Sequence, residues 1–349
     1  MAFTQEQFIR GMNYSLETHD RKEPVDQITP KYRLLDWLIR NKTETVFGNG
    51  VFKQPLFIDA SGNAQNYFGA DQVTYNERDP NRWTSWNYYN LHDGFWFDED
   101  RLLAAGIRIS DDGEEAPTAG EKTQLIDLLK QSHRALRLGM QRHLAFEAIL
   151  DGSQSAKAMP GLTHVVSTTP ATGVVGGVNA ATQEYWRNNI NLNIDPSTDD
   201  VVEEWESTWD DVTRYGGTVT DAIFVGEAMY QAFLEASNAI VSRHVNDGGN
   251  KRGGVSLDPS TNNLFFHGVP VVKDPTFSEL DAELGGDTYS KMAFFLSKDA
   301  LKFRPVKGEW MRNRKPERLP DRYVHYWGRT AKYSMTTDQR NGLAVLTLA

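Results

Sequence analysis

The segment Gly161 to Asn188, GLTHVVSTTPATGVVGGVNAATQEYWRN, does most to limit what this chain can fold into. It holds four glycines and a proline, and no Asp, Glu, Lys or Arg occurs before Glu184. Glycine reaches left-handed backbone without steric cost and proline fixes φ, so the stretch is suited to one tightly turned path. With no charged side chain it is a poor place for acid–base chemistry or phosphate binding. It reads as a structural connector.

The connector follows the clearest helical pattern in the chain. From Thr118 to Asp151, apolar residues recur at Leu125, Leu128, Leu129, Leu136, Met140, Phe146 and Leu150, close to helical spacing. Thr118 and Glu121 match a capping box, and Asp151-Gly152 supplies the stop. A helix of about 32 residues is a rod of roughly 48 Å, which suits a structural spine.

Other regions have distinct characters. Residues 1–47 carry seven basic and seven acidic side chains, with a short amphipathic helix expected over Tyr32 to Ile39; such an arm either packs on a neighbour or stays a tail. Residues 48–112 mix Trp83, Trp86, Trp96, Tyr67, Tyr75, Tyr88 and Tyr89 with Asn, Gly and Asp, which suggests strands and turns. Those aromatics suit either an interface or an ordinary β-rich core. A second helix is expected over 195–215, capped by Ser197 and Asp200, with Val201, Val202, Trp205, Trp209 and Val212 on one face. Between Asp195 and Asp211 lie eight acidic residues and no basic one. From Asp221 the pattern becomes strand (AIFVG), helix, glycine-rich loop (Asp247 to Gly254), then strands at Leu264–His267 and Val269–Val272. MAFFL, LKFRPV and a terminal hairpin, Arg322–Thr336 with Leu343–Leu348, complete an α+β chain.

Composition removes several functions. Lys plus Arg number 37 against 47 Asp plus Glu, a net charge of -10 that suits no dedicated nucleic-acid binder. No cysteine is present, which excludes disulfides, thiolate nucleophiles and Cys-ligated metals. The N-terminus has no signal-peptide pattern, and no apolar run approaches the ~20 residues of a membrane span. No membrane partner is expected, and synthesis is expected inside the cell.

Candidate chemical sites fail on their residues. His143 and Glu147 stand four apart on the long helix, which reads as a surface pair with too few ligands for a metal. Gly173–Gly177 lacks the dinucleotide-binding order, and DGGNKRGG lacks Walker spacing. The pairs Asp98/Asp100 and Glu114/Glu115 sit in polar turns without a partner to raise a pKa. No catalytic, cofactor or metal site is expected. One asymmetry stands out: Lys298 to Lys332 holds eleven basic and four acidic residues. The acidic helix is a candidate counterpart in trans, with DNA phosphates the rival.

Read together, several segments resemble the major capsid proteins of tailed bacteriophages. The connector resembles that family's GL…P…GTVGG…WRN segment after its spine helix. GEKTQLIDLLKQ, GNGVFKQPLF, TDAIFVGEAMYQAFLEAS, FFHGVPVVKDP, MAFFLSKDALKFRP and DQRNGLAVL follow in family order, covering roughly residues 45–349. The resemblance implies the Hong Kong 97-type fold, with an N-terminal arm (1–47), extended β-hairpin loop (48–112), peripheral domain with spine helix (113–217), axial domain (218–287) and peripheral sheet return (288–349).

It further implies pentamers and hexamers closing into an icosahedral virion head around double-stranded DNA, assembled in the host cytoplasm. Expected partners are other copies, a separate scaffolding protein, a portal and, as a candidate, a decoration protein. A short N-terminal region leaves little room for a built-in scaffold. Trp83, Trp86 and Trp96 are expected to anchor the hairpin at subunit contacts. Arg312, Arg314, Lys315 and Arg318 would face neighbouring capsomers, with Asp199, Asp200 and Glu203 as the acidic counterpart. Some family members crosslink through a lysine on the extended loop. This chain has none between Gln54 and Glu121, and the only nearby candidate is Lys53 at the loop's base, so a shell without such crosslinks is expected. Two alternatives remain: a nanocompartment shell of the same fold filled with protein cargo, as in encapsulins, and a soluble α+β hydrolase with a carboxylate pair.

Overall fold

The computed structural model describes residues 31–45, 50–57, 64–75, 81–104, 119–214, 219–246, 255–258, 263–314 and 324–349. The first elements are α1 (Arg33–Arg40), β1 (Val51–Phe57), β2 (Asn81–Asn87), β3 (Tyr89–Asp98), α2 (Glu99–Ala104) and the 31-residue α3 (Ala119–Ile149). The connector contributes α4 (Leu162–Val165), β4 (Val174–Val175) and β5 (Val178–Asn179). Then come β6 (Asn189–Ile194), α5 (Val201–Thr213), β7 (Ala222–Val225), α6 (Glu227–Asn246), β8 (Val255–Asp258), β9 (Asn263–Phe266) and β10 (Val269–Lys273). The chain ends with α7 (Pro275–Leu284), β11 (Met292–Leu296), β12 (Leu301–Pro305), β13 (Arg312–Arg314), β14 (Val324–Thr337) and β15 (Ala344–Leu348).

The chain divides into two compact units. The larger comprises Lys31–Tyr89, Ala145–Lys307 and Tyr333–Ala349. Its centre is a seven-stranded sheet in the order β6-β15-β11-β7-β10-β9-β8. β7 and β11 are buried at every position, as inner strands covered on both faces must be. Alternation then sends side chains to two layers. Ile223, Val225 and Phe295 join Trp205 of α5 and Phe233 of α6 in one cluster. Phe224 instead meets Trp37 of α1, and Phe294 stacks on Phe277 of α7. Each such aromatic removes apolar surface worth about 1.5–3 kcal/mol.

One carboxylate organises the second layer. Asp274 is fully buried and caps α7 by accepting from the Thr276 amide at 2.9 Å. Its other oxygen accepts from the Leu34 amide at 2.6 Å, in the first turn of α1. Two helix N-termini, each with unpaired N–H groups, thus share one acceptor. Beyond α1, Thr43 and Thr45 donate to Phe303 and Pro305 carbonyls, extending the pairing of β12.

The smaller unit holds, among described residues, parts of Asn90–Leu144 and Gly308–Lys332. β3 and β13 pair with β14. β3 is exposed at every second residue from Asn90 to Trp96, a one-sided strand. Its inward Phe95 and Phe97 contact Trp327, and Phe95 also meets His133 of α3. Leu136, Met140 and Leu144 bury the α3 face, at helical spacing.

Three readings of the sequence are corrected or completed here. The terminal strands form no hairpin: β14 pairs with β12 and β13, whereas β15 lies between β6 and β11. Arg340, buried in the turn between them, donates to Val165 O, Trp186 O and Asn188 Oδ1, which ties that turn to the connector. Glu147 is not part of a surface pair. It is buried, accepting from the Met159 amide at 2.7 Å and from the Tyr333 hydroxyl, while His143 is exposed. Helix α7 was not expected, although Asp274, Pro275 and the left-handed Gly285 mark its two ends. The Thr118 cap, the arm before residue 31 and the DGGNKRGG loop lie outside the described residues.

Candidate assembly surfaces

The connector's path is built by close approach. A Cβ on Gly161 would lie 2.3 Å from the Glu147 carbonyl oxygen, so only glycine lets the chain turn back against the end of α3. Gly176 and Gly177 make the two-residue turn between β4 and β5, both at positive φ. A Cβ on Gly176 would lie 2.5 Å from the Trp86 ring. Trp86 is therefore seated on the glycine turn, beside Val175, Val178, Trp186 and Leu56. The Ser85 amide donates to Gly176 O at 2.8 Å and Trp186 Nε1 to Val175 O at 2.9 Å. The connector thus receives the β1–β2 hairpin.

The three tryptophans of the hairpin region separate by environment. Trp86 is only 6% exposed and anchors the hairpin within its own chain. Trp83, three residues earlier and paired with Pro55, is 63% exposed. An odd spacing on a strand places the two on opposite faces. Trp96 on β3 is 47% exposed. Phe57, Tyr67, Phe68 and Tyr75 add further exposed aromatic surface.

The charged candidates also have local partners. Arg312 Nη1 and Arg314 Nη2 bind the two oxygens of Glu309, each at 2.5 Å. The hydrogen bond from Arg312 leads the effects that hold the Glu309 carboxyl below its usual range. Two guanidinium groups on one carboxylate leave one positive charge in excess at that strand. Lys315 and Arg318 lie outside the described residues. On the acidic side, Asp200 caps α5 through the Val202 amide at 3.0 Å, and Asp199 accepts from the Asp195 amide at 2.9 Å. Glu203 is exposed in the first turn of α5, where a negative charge suits the helix dipole.

The buried ionisable groups serve packing. Burial, reinforced by the charge of Glu147 and the hydrogen bond to it, pushes the Tyr333 hydroxyl far up, so it stays a donor. Burial pushes Arg340 down to about 10, and its three acceptors are neutral oxygens. His164 is held below its usual value by burial and then by Arg340, against the pull of Asp151. Among the described residues no group of three His, Asp or Glu side chains could hold a metal, and no helix is long and apolar enough to cross a membrane.

The fold has close counterparts among solved structures. The capsid of Myoviridae phage XM1 matches over 94% of this chain and 95% of that chain, with a TM-score of 0.57 at 11% identity. The capsid asymmetric unit of cyanophage A-1(L) matches over the same shares with a TM-score of 0.60, also at 11% identity. The capsid of cyanophage P-SCSP1u matches over 94% of this chain and 91% of that chain, with a TM-score of 0.54 at 9% identity. No family model and no curated protein matches the sequence. At such identities the likeness defines the fold: this chain has the fold of tailed-phage capsid proteins, as the collinear sequence segments led one to expect.

Proposed function

We propose that this chain is the major capsid protein of a tailed bacteriophage. The observation that carries the reading is the agreement of fold with phage capsids across 94% of this chain and 95% of the matched chain. Copies associate as pentamers and hexamers into an icosahedral virion head around double-stranded DNA, with a separate scaffolding protein and a portal as partners. The work is association rather than catalysis: each contact is weak, and the closed symmetry repeats it many times. The exposed Trp83 and Trp96 and the basic strand around Arg312 and Arg314 are the surfaces we assign to neighbours. Asp199, Asp200 and Glu203 are their acidic counterpart. The net charge of -10 supports a wall that encloses DNA without gripping it.

The test is expression alone and with the scaffolding protein encoded beside it, followed by sizing and negative-stain electron microscopy. Closed particles of megadalton mass are expected. A monodisperse monomer or small oligomer under both conditions overturns the reading. Boiled, denatured particles should run as single chains, because the one lysine of the hairpin, Lys53, lies at its base and none lies between Gln54 and Glu121.

A further inference from the structure

The outer face of the smaller unit's sheet carries a slot of about 580 Å³, a size at which small-ligand and side-chain pockets are found. Its walls include Trp96, Tyr326, His92 and Arg314, and Gly94 and Gly328 leave it open where other residues would fill it. A Cβ on Gly94 would lie 2.8 Å from the Trp327 carbonyl oxygen, so the two strands themselves hold that position to glycine. The slot is thus apolar and aromatic, with cationic character at the Arg314 side.

The same chain carries a matching projection. Phe68 is 90% exposed at the head of a closed turn. The Phe68 amide donates to Asp71 Oδ2, and the Asp71 amide donates to Phe68 O, both at 2.8 Å. Gln65 and Thr74 clasp the base of the loop through side-chain and backbone hydrogen bonds. An aromatic ring held out by a pre-formed turn loses little freedom on docking, and a ring left in water is what association removes. Asp71 is the only charged residue in 64–75, and it is negative. The slot's edge is positive, since Arg312 and Arg314 share a single carboxylate.

We propose that the Phe68 turn of one copy seats in the Trp96–Arg314 slot of the next, with Phe68 between the rings and Asp71 toward Arg314. The contact is heterologous, projection into slot, so it does not stop at a two-fold dimer and builds a ring where its rotation closes. This rests on the shell-subunit reading above. It adds the two surfaces that meet.

Because the chain has no cysteine, the contact can be trapped cleanly. Shells are assembled from mixed Ala70→Cys and His92→Cys copies, which keep both rings and place a thiol beside Phe68 and in the slot wall, and treated with a short bismaleimide. Crosslinked dimers are expected only in the mixture and only after assembly. Phe68→Ala and Trp96→Ala, each checked for folding by circular dichroism, are expected to lower shell yield at least tenfold, and the double variant no further. Wild-type shells beside normal yield from Phe68→Ala overturn the pairing and leave the capsid reading intact. So does a His92→Cys thiol in shells that stays freely labelled, or one that is shielded without crosslinking to Ala70→Cys. If wild-type chains form no particle under any condition, the capsid reading falls and this contact with it.

Discussion

Aromatic side chains do opposite work in two parts of this molecule. Around α5, Trp205 is fully buried, stacked on Phe233 at 4.0 Å with Phe266 and Phe295 edge-on. On the β1–β2 hairpin, Phe57 and Trp83 stand in water, as do Tyr67, Phe68 and Tyr75 between the strands. The first set stabilises the monomer; the second cannot, because exposed apolar area contributes nothing until something covers it. On the shell-subunit reading proposed above, a chain whose aromatics divide this way serves two separate events, folding and then association. Substitutions should therefore separate into those that unfold the subunit and those that leave it folded and unable to assemble.

The largest effect on folding is expected in the first set. Trp205→Ala removes the centre of a cluster fed by two helices and six strands, and truncating such a residue costs about 3–5 kcal/mol. Urea denaturation of the isolated subunit should show the midpoint falling sharply or no cooperative transition at all. A loss below about 1 kcal/mol would mean that the cluster relaxes to fill the space, and the division between folding and association aromatics would lose its sharpest case.

Arg340→Met comes next. It leaves the carbonyls of Val165 and Trp186 buried without a donor and removes one of two donors from Asn188 Oδ1, which keeps the Ser167 amide, at a cost of about 2–3 kcal/mol. Arg340 links the connector to the turn between β14 and β15, so both ends of the larger unit should loosen together. Hydrogen exchange would report this as coupled loss of protection in 161–188 and 338–348. Loss confined to one of these segments would show that the arginine holds only that side.

Much of this frame was readable beforehand, for identifiable reasons. The α5 face, the β7 and β11 runs and the Tyr32–Ile39 helix declare themselves because period and burial coincide locally. The connector's glycines pointed to a fixed path, but not to Trp86, which sits ninety residues upstream on the Gly176 turn. The terminal hairpin was misread because nearness in sequence is a good but fallible guide to pairing. An NG turn followed by apolar alternation looks the same whether the strands pair or part. Glu147 looked like a surface residue because its partners, Met159 N and Tyr333 OH, come from outside its helix. Of the assembly candidates, the sequence could name tryptophans and arginines. It could not tell that Trp86 faces inward, or that Arg312 and Arg314 share Glu309.

A smaller effect is expected from pH. His164 has its folded pKa depressed, so the native state favours the neutral ring. The stability it contributes is present above the unfolded value of about 6.5 and is lost as pH falls through the folded value. The urea midpoint should fall between pH 7.5 and pH 5.5, and His164→Gln should flatten that part of the profile. An unchanged slope in the variant would assign the dependence to other groups. The hairpin has no comparable buried titrating group among its described residues, so its local exchange rates should not follow this profile.

The smallest effect on folding is expected at Trp83, and there the contrast between regions is most exposed to test. Its ring lies across from Pro55 on a two-stranded hairpin and is mostly in solvent, so Trp83→Ala should change subunit stability by no more than about 0.5 kcal/mol. Trp86 remains seated on Gly176, so the hairpin stays attached to its own chain. Particle yield is expected to fall all the same, because removing a large aromatic from a repeated contact weakens every copy of it at once. Sedimentation of assembly reactions alongside urea melts of the same preparation separates the two outcomes. A variant that melts normally and fails to assemble fits the division. One that assembles normally would move Trp83 out of the contact surface and leave association to Trp96 and the Phe68 turn.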